Sequence, residues 1–158
     1  MALALPLHAN NELVTLAWIR DVVTAYGVSA GTTLQGPDPE TLVLPWGDVG
    51  FVTTLTVGGS VNTNTPMREP VMSVECVAAN VGKSRPPWGR AIGIAELIIR
   101  ATEWTGWGST ARAVVLPSGY PGARVWDGSA LTEPKRVPSD EAGYARYSFD
   151  MSMSWVEL

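Results

Sequence analysis

Histidine, cysteine, clustered cations and long apolar runs are all scarce in this sequence. The 158 residues include one His and one Cys. A lone Cys76 excludes an intrachain disulfide and any cysteine-based zinc site built within one chain, and it fits a reducing environment. His8 has no second histidine to help it hold a metal, and a nucleophile triad around it would need residues from another subunit. No window carries a run of Lys and Arg and the net charge is -4, so a duplex-binding surface is not expected. No stretch approaches the roughly eighteen apolar residues of a membrane span, and the apolar stretch 1–7 lacks a basic leader. Neither a signal peptide nor a membrane span is expected.

Charge is also thin. Charged residues make up 16% of the chain, against roughly 25% in ordinary soluble domains, so much of the exterior has to be neutral or apolar, as when subunits cover one another. Nine of the eleven cations are Arg, which suits fixed carboxylate pairing at interfaces. What is plentiful is apolar or loop-forming: 46% hydrophobic residues, 16 Gly, 12 Pro and 7 Trp. Such a chain folds, with long loops. Its length suits one domain over 1–158, and its mass of 16.9 kDa corresponds to roughly 7,700 Å² of surface for a compact monomer.

Periodicity places the elements. Asn10 or Asn11 caps a helix that starts at Glu12, where Leu16, Ile19, Val23 and Tyr26 form one apolar stripe and Val14, Trp18 and Val22 a second. That helix has to be covered on more than one side, by its own chain or by a neighbour. Residues 29–49 are broken by Gly and Pro, leaving a wandering connection with a short strand at 42–44. Phe51, Thr53, Leu55 and Val57 alternate with Val52, Thr54 and Thr56, which gives a strand with one greasy and one threonine-rich face. A long loop over 58–69 separates it from an antiparallel partner at 71–79.

The second helix begins at Trp88 or Gly89 and runs to about Trp104, burying Ala91, Ile94, Ala95, Ile98 and Ala101. Short strands follow at 112–116 and 123–126, Asp127-Gly128 reads as a turn, and 131–137 is at best an edge strand because of Pro134. In the last element Tyr147, Phe149, Met151, Met153 and Trp155 alternate with Arg146, Ser148, Asp150, Ser152 and Ser154. The expected class is α+β: a mostly antiparallel sheet packed by two main helices, with long Pro/Gly-rich loops and a possible elaborated loop and strand region at 105–143.

Site chemistry is sparse. Gly82-Lys83-Ser84 resembles the end of a phosphate-binding loop, but Val77 and Ala78 stand where its leading glycine is needed, and Pro86 and Pro87 interrupt the helix that should follow. Cys76 lies within a strand beside Met72 and Val74 and reads as a small apolar filler. Asp38, Glu40, Asp48, Asp127, Glu133 and Asp140 read as solvated loop carboxylates. Trp88, Trp104, Trp107, Trp126 and Trp155 have no interleaved cations and read as core or subunit contacts, not base-stacking platforms.

The strand 71–79, the lead-in Ser84-Arg85-Pro86-Pro87-Trp88, the helix from Gly89 to Thr102 and the ending Ala145-Arg146-Tyr147-Ser148-Phe149-Asp150-Met151 together resemble tail terminator proteins of long-tailed phages of actinobacteria. The resemblance covers about residues 12–158. It implies a small α+β subunit that closes into a homohexameric ring at the head-proximal end of the tail, in the neck of the virion, after assembly in the host cytoplasm. The implied partners are other copies of the chain, the tail tube protein and the head-completion connector, with DNA passing through the lumen without sequence-specific contact. No catalysis, metal or cofactor is implied. Candidate assembly contacts are Trp18, Arg68, Glu69, Trp88, Trp107 and Arg146, with 58–69 and 105–110 expected at assembly surfaces. The alternatives are another neck ring such as a head-tail adaptor, a tail tube subunit, or a small carboxylate-based hydrolase or sugar-binding domain.

Overall fold

The strictest alternation in the sequence builds the central strand. In the computed structural model, which describes residues 1–80, 83, 85–103, 110–138 and 143–158, β7 (Tyr144–Glu157) buries Ala145, Tyr147, Phe149, Met151, Met153 and Trp155 on one face. It pairs antiparallel with β3 (Arg68–Ala79) along one side, from Arg68 opposite Trp155 to Ala79 opposite Tyr144. Along its other side run β5 (Ala123–Ala130) and the two-residue β6 (Lys135–Arg136). β2 (Phe51–Val61) and β1 (Ser29–Ala30) extend the sheet beyond β3, and β4 (Arg112–Val114) extends it beyond β5. Among the described residues only β1 and β2 pair in parallel. With two helices on this sheet, the α+β class expected from the sequence is the observed one.

The first helix fills the trough of the curled sheet. α1 (Asn11–Val23) begins where the side-chain oxygen of Asn10 accepts the Leu13 N–H at 3.0 Å, and it continues into a short 3-10 turn to Tyr26. Towards one sheet edge, Arg20 donates to the Ala30 carbonyl of β1 at 3.0 Å. Towards the other, Arg112 of β4 donates to the Trp18 carbonyl at 2.6 Å, and its guanidinium lies 3.2 Å from the Asp21 carboxylate. Val14, Trp18, Ile19 and Val23 are all buried. The two apolar stripes are therefore covered within the chain, whereas Tyr26, expected on the first stripe, is exposed beyond the α-helical part.

α2 (Trp88–Ala101) lays Ala91, Ile94, Ala95 and Ile98 on the inner face of β3 and β7, as its spacing predicts. Glu96 and Arg100 stand 4.0 Å apart on the exposed side. The helix ends at Ala101, short of the expected run to Trp104: the Thr102 hydroxyl donates to the Ile99 carbonyl at 2.7 Å and Thr102 and Glu103 turn away from the helix, while Trp104 lies outside the described residues.

Several local expectations change. β2 turns its threonine face inward, because the Thr54 hydroxyl is satisfied by the Ser73 carbonyl at 3.1 Å and that of Thr56 by the Met72 sulfur at 3.6 Å. Leu55 and Val57 point outward. The loop expected over 58–69 is mostly strand: β2 runs to Val61 and β3 starts at Arg68, so only 62–67 form the turn of a long hairpin. Two glycines allow it, with a register irregularity between Thr56 and Gly58 and a φ of +109° at Gly59, where a Cβ would collide with the Glu69 carbonyl.

The strand expected at 42–44 is absent. There the Asp38 carboxylate accepts the Glu40 and Thr41 N–H groups at 2.8 and 3.0 Å, and Leu42 takes a φ of +58°, which turns the chain instead of extending it. Those bonds hold the Asp38 carboxyl below its ordinary value. Asp127 and Gly128, expected as a turn, lie inside β5, where an irregularity between Val125 and Asp127 takes up the bend.

Part of the wandering connection has a core of its own. Leu44 and Trp46 cover Phe51, Val77 and Ala79 on the outer face of the sheet, and the Trp46 indole donates to the Gln35 carbonyl at 2.6 Å. Trp46 meets the Phe51 and Tyr144 rings at 5.8 and 6.0 Å. Further along the outer face, Val71, Ser73, Glu75, Arg146 and Ser148 are half-buried.

Phe149 is buried beneath the helices, while Ser148 lies on the opposite face of β7. Phe149→Ala is expected to lower unfolding free energy by about 3–5 kcal/mol. Ser148→Ala should change it by no more than about 0.5 kcal/mol. Urea unfolding of the two variants measures both.

Candidate functional site

The six residues expected at assembly contacts do not form one site. Trp18 belongs to the core: its side chain is buried, its indole donates to the Thr110 carbonyl at 3.0 Å, and the Arg112 guanidinium stacks 4.8 Å from its ring. It offers no surface to a neighbour. Trp107 lies outside the described residues.

Arg68 and Glu69 are exposed where β3 leaves the hairpin turn. Together with Asn11, Thr56, Gly58 and Val61 they border an open groove of about 170 Å³. Arg146 stands towards the far end of the same ladder, opposite Val77. Nine residues of strand separate Arg68 from Val77, or roughly 30 Å at the rise of an antiparallel strand. These are two separate places on the sheet.

Around Arg146 the outer face is polar and internally paired. Its guanidinium donates to the Glu75 carboxylate at 2.7 Å on the neighbouring strand and lies 5.9 Å from the Tyr144 ring. An ion pair so close, and shielded on both sides, fixes the two side chains. Trp88 is half-buried at the start of α2, edge-on to Tyr147 at 5.9 Å, with the Arg136 guanidinium 4.4 Å above its ring. Arg136 also donates to the Tyr147 hydroxyl at 3.1 Å, so β6 is clamped onto β7 by side chains as well as by backbone. Of the five that are described, Arg68 and Glu69 are exposed, Trp88 and Arg146 are half-buried and Trp18 is buried.

The reactive residue types are occupied structurally. Cys76 is buried between β2 and β7, where desolvation, with a smaller push from Glu75, raises its thiol pKa well above the ordinary value. His8 is exposed, with its Nδ1 3.4 Å from a Glu157 carboxylate oxygen; the other oxygen of that carboxylate accepts the Ala9 N–H at 2.8 Å. Among the described residues no group of three or more His, Cys, Asp or Glu is placed to hold a metal ion, and no helix is long and apolar enough to cross a membrane.

Sequence reasoning missed the exposed apolar surface. Leu55, Val57 and Val61 on β2 are 61%, 54% and 65% exposed, and Leu3 and Leu5 before the first helix are 94% and 89% exposed. The greasy face of 51–57 was the available signal, but a greasy face ordinarily points to the core. Only the hydroxyl partners of Thr54 and Thr56 show why this one does not. No protein-family model and no curated protein sequence matches the chain.

Burial of Cys76 carries a direct test. In the native protein the thiol is expected to resist a thiol-exchange reagent, and urea should release one equivalent in parallel with loss of ellipticity. Fast reaction of the native protein would mean that the β2–β3–β7 packing opens easily.

Proposed function

We propose that the chain is a structural virion subunit, a tail terminator that closes into a homohexameric ring, caps the head-proximal end of a phage tail tube and joins it to the head-completion connector. It acts by binding, without catalysis. The observation that carries this reading is surface in excess of what a self-sufficient monomer needs. The accessible area is 9305 Å², about a fifth more than the roughly 7,700 Å² that scaling gives for this mass. The exposed surface includes the apolar side chains Leu55, Val57 and Val61 of β2 and Leu3 and Leu5 of the stretch 1–7. Exposed apolar surface on a weakly charged chain supports the reading of a subunit covered by its neighbours.

The likeness of 71–79, 84–102 and 145–151 to tail terminators supplies the kind of assembly. A tube end is itself a ring of equal sites, so a matching ring engages several at once and weak single contacts become jointly stable. DNA would pass through the lumen without sequence-specific contact, in keeping with the absence of a run of Lys and Arg.

A second reading draws on the same hairpin. An exposed strand edge also suits a tail tube protein, whose contacts repeat without closing. Electron microscopy of the purified protein separates closed rings from filaments. Closed rings with the mass of six subunits by light scattering are expected, and added protein should cap one end of growing tubes without changing any subunit's mass. Loss of the protein from an assembling phage should leave overlong or headless tails. Normal tails joined to heads in its absence would overturn the assignment, and open filaments of the protein alone would move it to the tube.

A further inference from the structure

Only three of the eleven Lys and Arg residues, Arg100, Arg112 and Arg146, stand within ion-pair distance of a carboxylate. Of the other eight, Lys83, Arg85, Arg90, Lys135 and Arg136 are all exposed and come from a loop, a helix and an edge strand. The fold brings them to one end of the sheet. Asn80, just past β3, holds the loop: its carbonyl accepts the Lys83 N–H at 3.1 Å and its side-chain amide donates to the Arg85 carbonyl at 2.9 Å. Arg136 lies over the Trp88 ring at the start of α2, and the Arg90 guanidinium donates to the Val49 carbonyl at 2.7 Å. Val52, Cys76, Tyr147 and Arg136 form one cross-strand row, which three strand spacings make roughly 15 Å wide. Arg136 stands at one end of that row and Arg90, tied to Val49 three residues ahead of Val52, towards the other. The loop with Lys83 and Arg85 leaves β3, one of the two middle strands.

This crowding does not serve the stability of the fold. Lys83, Arg85 and Arg90 precede or enter the first turn of α2, which holds no acidic residue, and the positive end of a helix dipole disfavours cations there. Arg90 and Arg136 are oriented by neutral groups, a carbonyl for one and an aromatic ring with the Tyr147 hydroxyl for the other, so their charge is fixed in place without being cancelled. Glu75 is already taken by Arg146, and Asp140 and Glu141 lie outside the described residues.

The patch also lacks what a protein partner needs. Protein interfaces have an apolar centre, whereas phosphates are held by charge and hydrogen bonds. No large apolar side chain of 85–90 or 135–138 is exposed, and Trp88 is roofed by Arg136, so no ring is offered to a base. We propose that this cationic end binds the phosphate backbone of duplex DNA without reading its sequence. The choice of DNA as the polyanion rests on the virion reading above, in which a duplex passes through the ring. No window of the sequence gathers these cations; only the fold does.

Anisotropy of a short labelled duplex titrated with the full chain tests this. Affinity should fall roughly a hundredfold between about 50 and 200 mM salt, the loss expected when about four phosphates are neutralised. Arg85→Glu should weaken binding about tenfold at the lower salt while far-UV ellipticity and light-scattering mass match the parent. Arg124→Glu, which removes an unpaired cation stacked on Trp126 of β5, should change it by less than about twofold. Binding that ignores salt, or that falls equally in the two variants, overturns the patch. Polyglutamate that displaces the duplex as readily as unlabelled duplex does overturns DNA as the partner in favour of an acidic protein. Assembled rings that bind no duplex overturn the patch and leave the ring reading standing, whereas a monomer that binds duplex through Arg85 supports the patch and overturns the ring.

Discussion

Because β7 bonds to β3 along one side and to β5 and β6 along the other, its register decides the orientation of almost every side chain in the sheet. A slip of one residue would turn Tyr147, Phe149, Met151, Met153 and Trp155 to solvent and bring Arg146, Ser148, Asp150 and Ser152 beneath the helices. It would also separate Arg146 from Glu75 and Arg136 from the Tyr147 hydroxyl, contacts that exist only in the observed pairing. Apolar burial on one face and paired charge on the other thus select the same register. The inward order of β3, with Met72, Val74, Cys76 and Ala78 buried, follows from its pairing with β7.

Legibility in the sequence followed the strength of the local pattern. β7, β3 and the buried stripe of α2 were readable because their alternation or helical spacing is long and uninterrupted. The sheet order, and the entry of α1 into the trough between its two edges, were not readable. They depend on Arg20 reaching Ala30 and on Arg112 reaching Trp18, over 10 and 94 residues of sequence. The second stripe on α1 did announce cover on more than one side, but a single sequence does not say whose chain supplies it.

Glycine and threonine misled for different reasons. Gly58 and Gly59 read as a loop because glycine usually interrupts strands, yet here they sit at an irregularity that keeps two strands paired almost to the hairpin tip. Thr54 looked like a solvent-facing residue, but its hydroxyl finds a backbone acceptor on β3, which makes burial of that face acceptable. For the candidate site the result is mixed. Arg68, Glu69 and Trp88 retain surface, Trp18 is a core residue held by Thr110 and Arg112 of its own chain, and the apolar surface on β2 was concealed by the assumption that greasy faces turn inward.

The tie between Ala9 and Glu157 also joins residues 148 apart in the sequence. A contact of that span closes almost the whole chain into a loop, so it becomes favourable only after β7 has paired with β3 and β5. Fraying at the end of β7 would therefore release the segment before α1 while the rest of the ladder stayed closed.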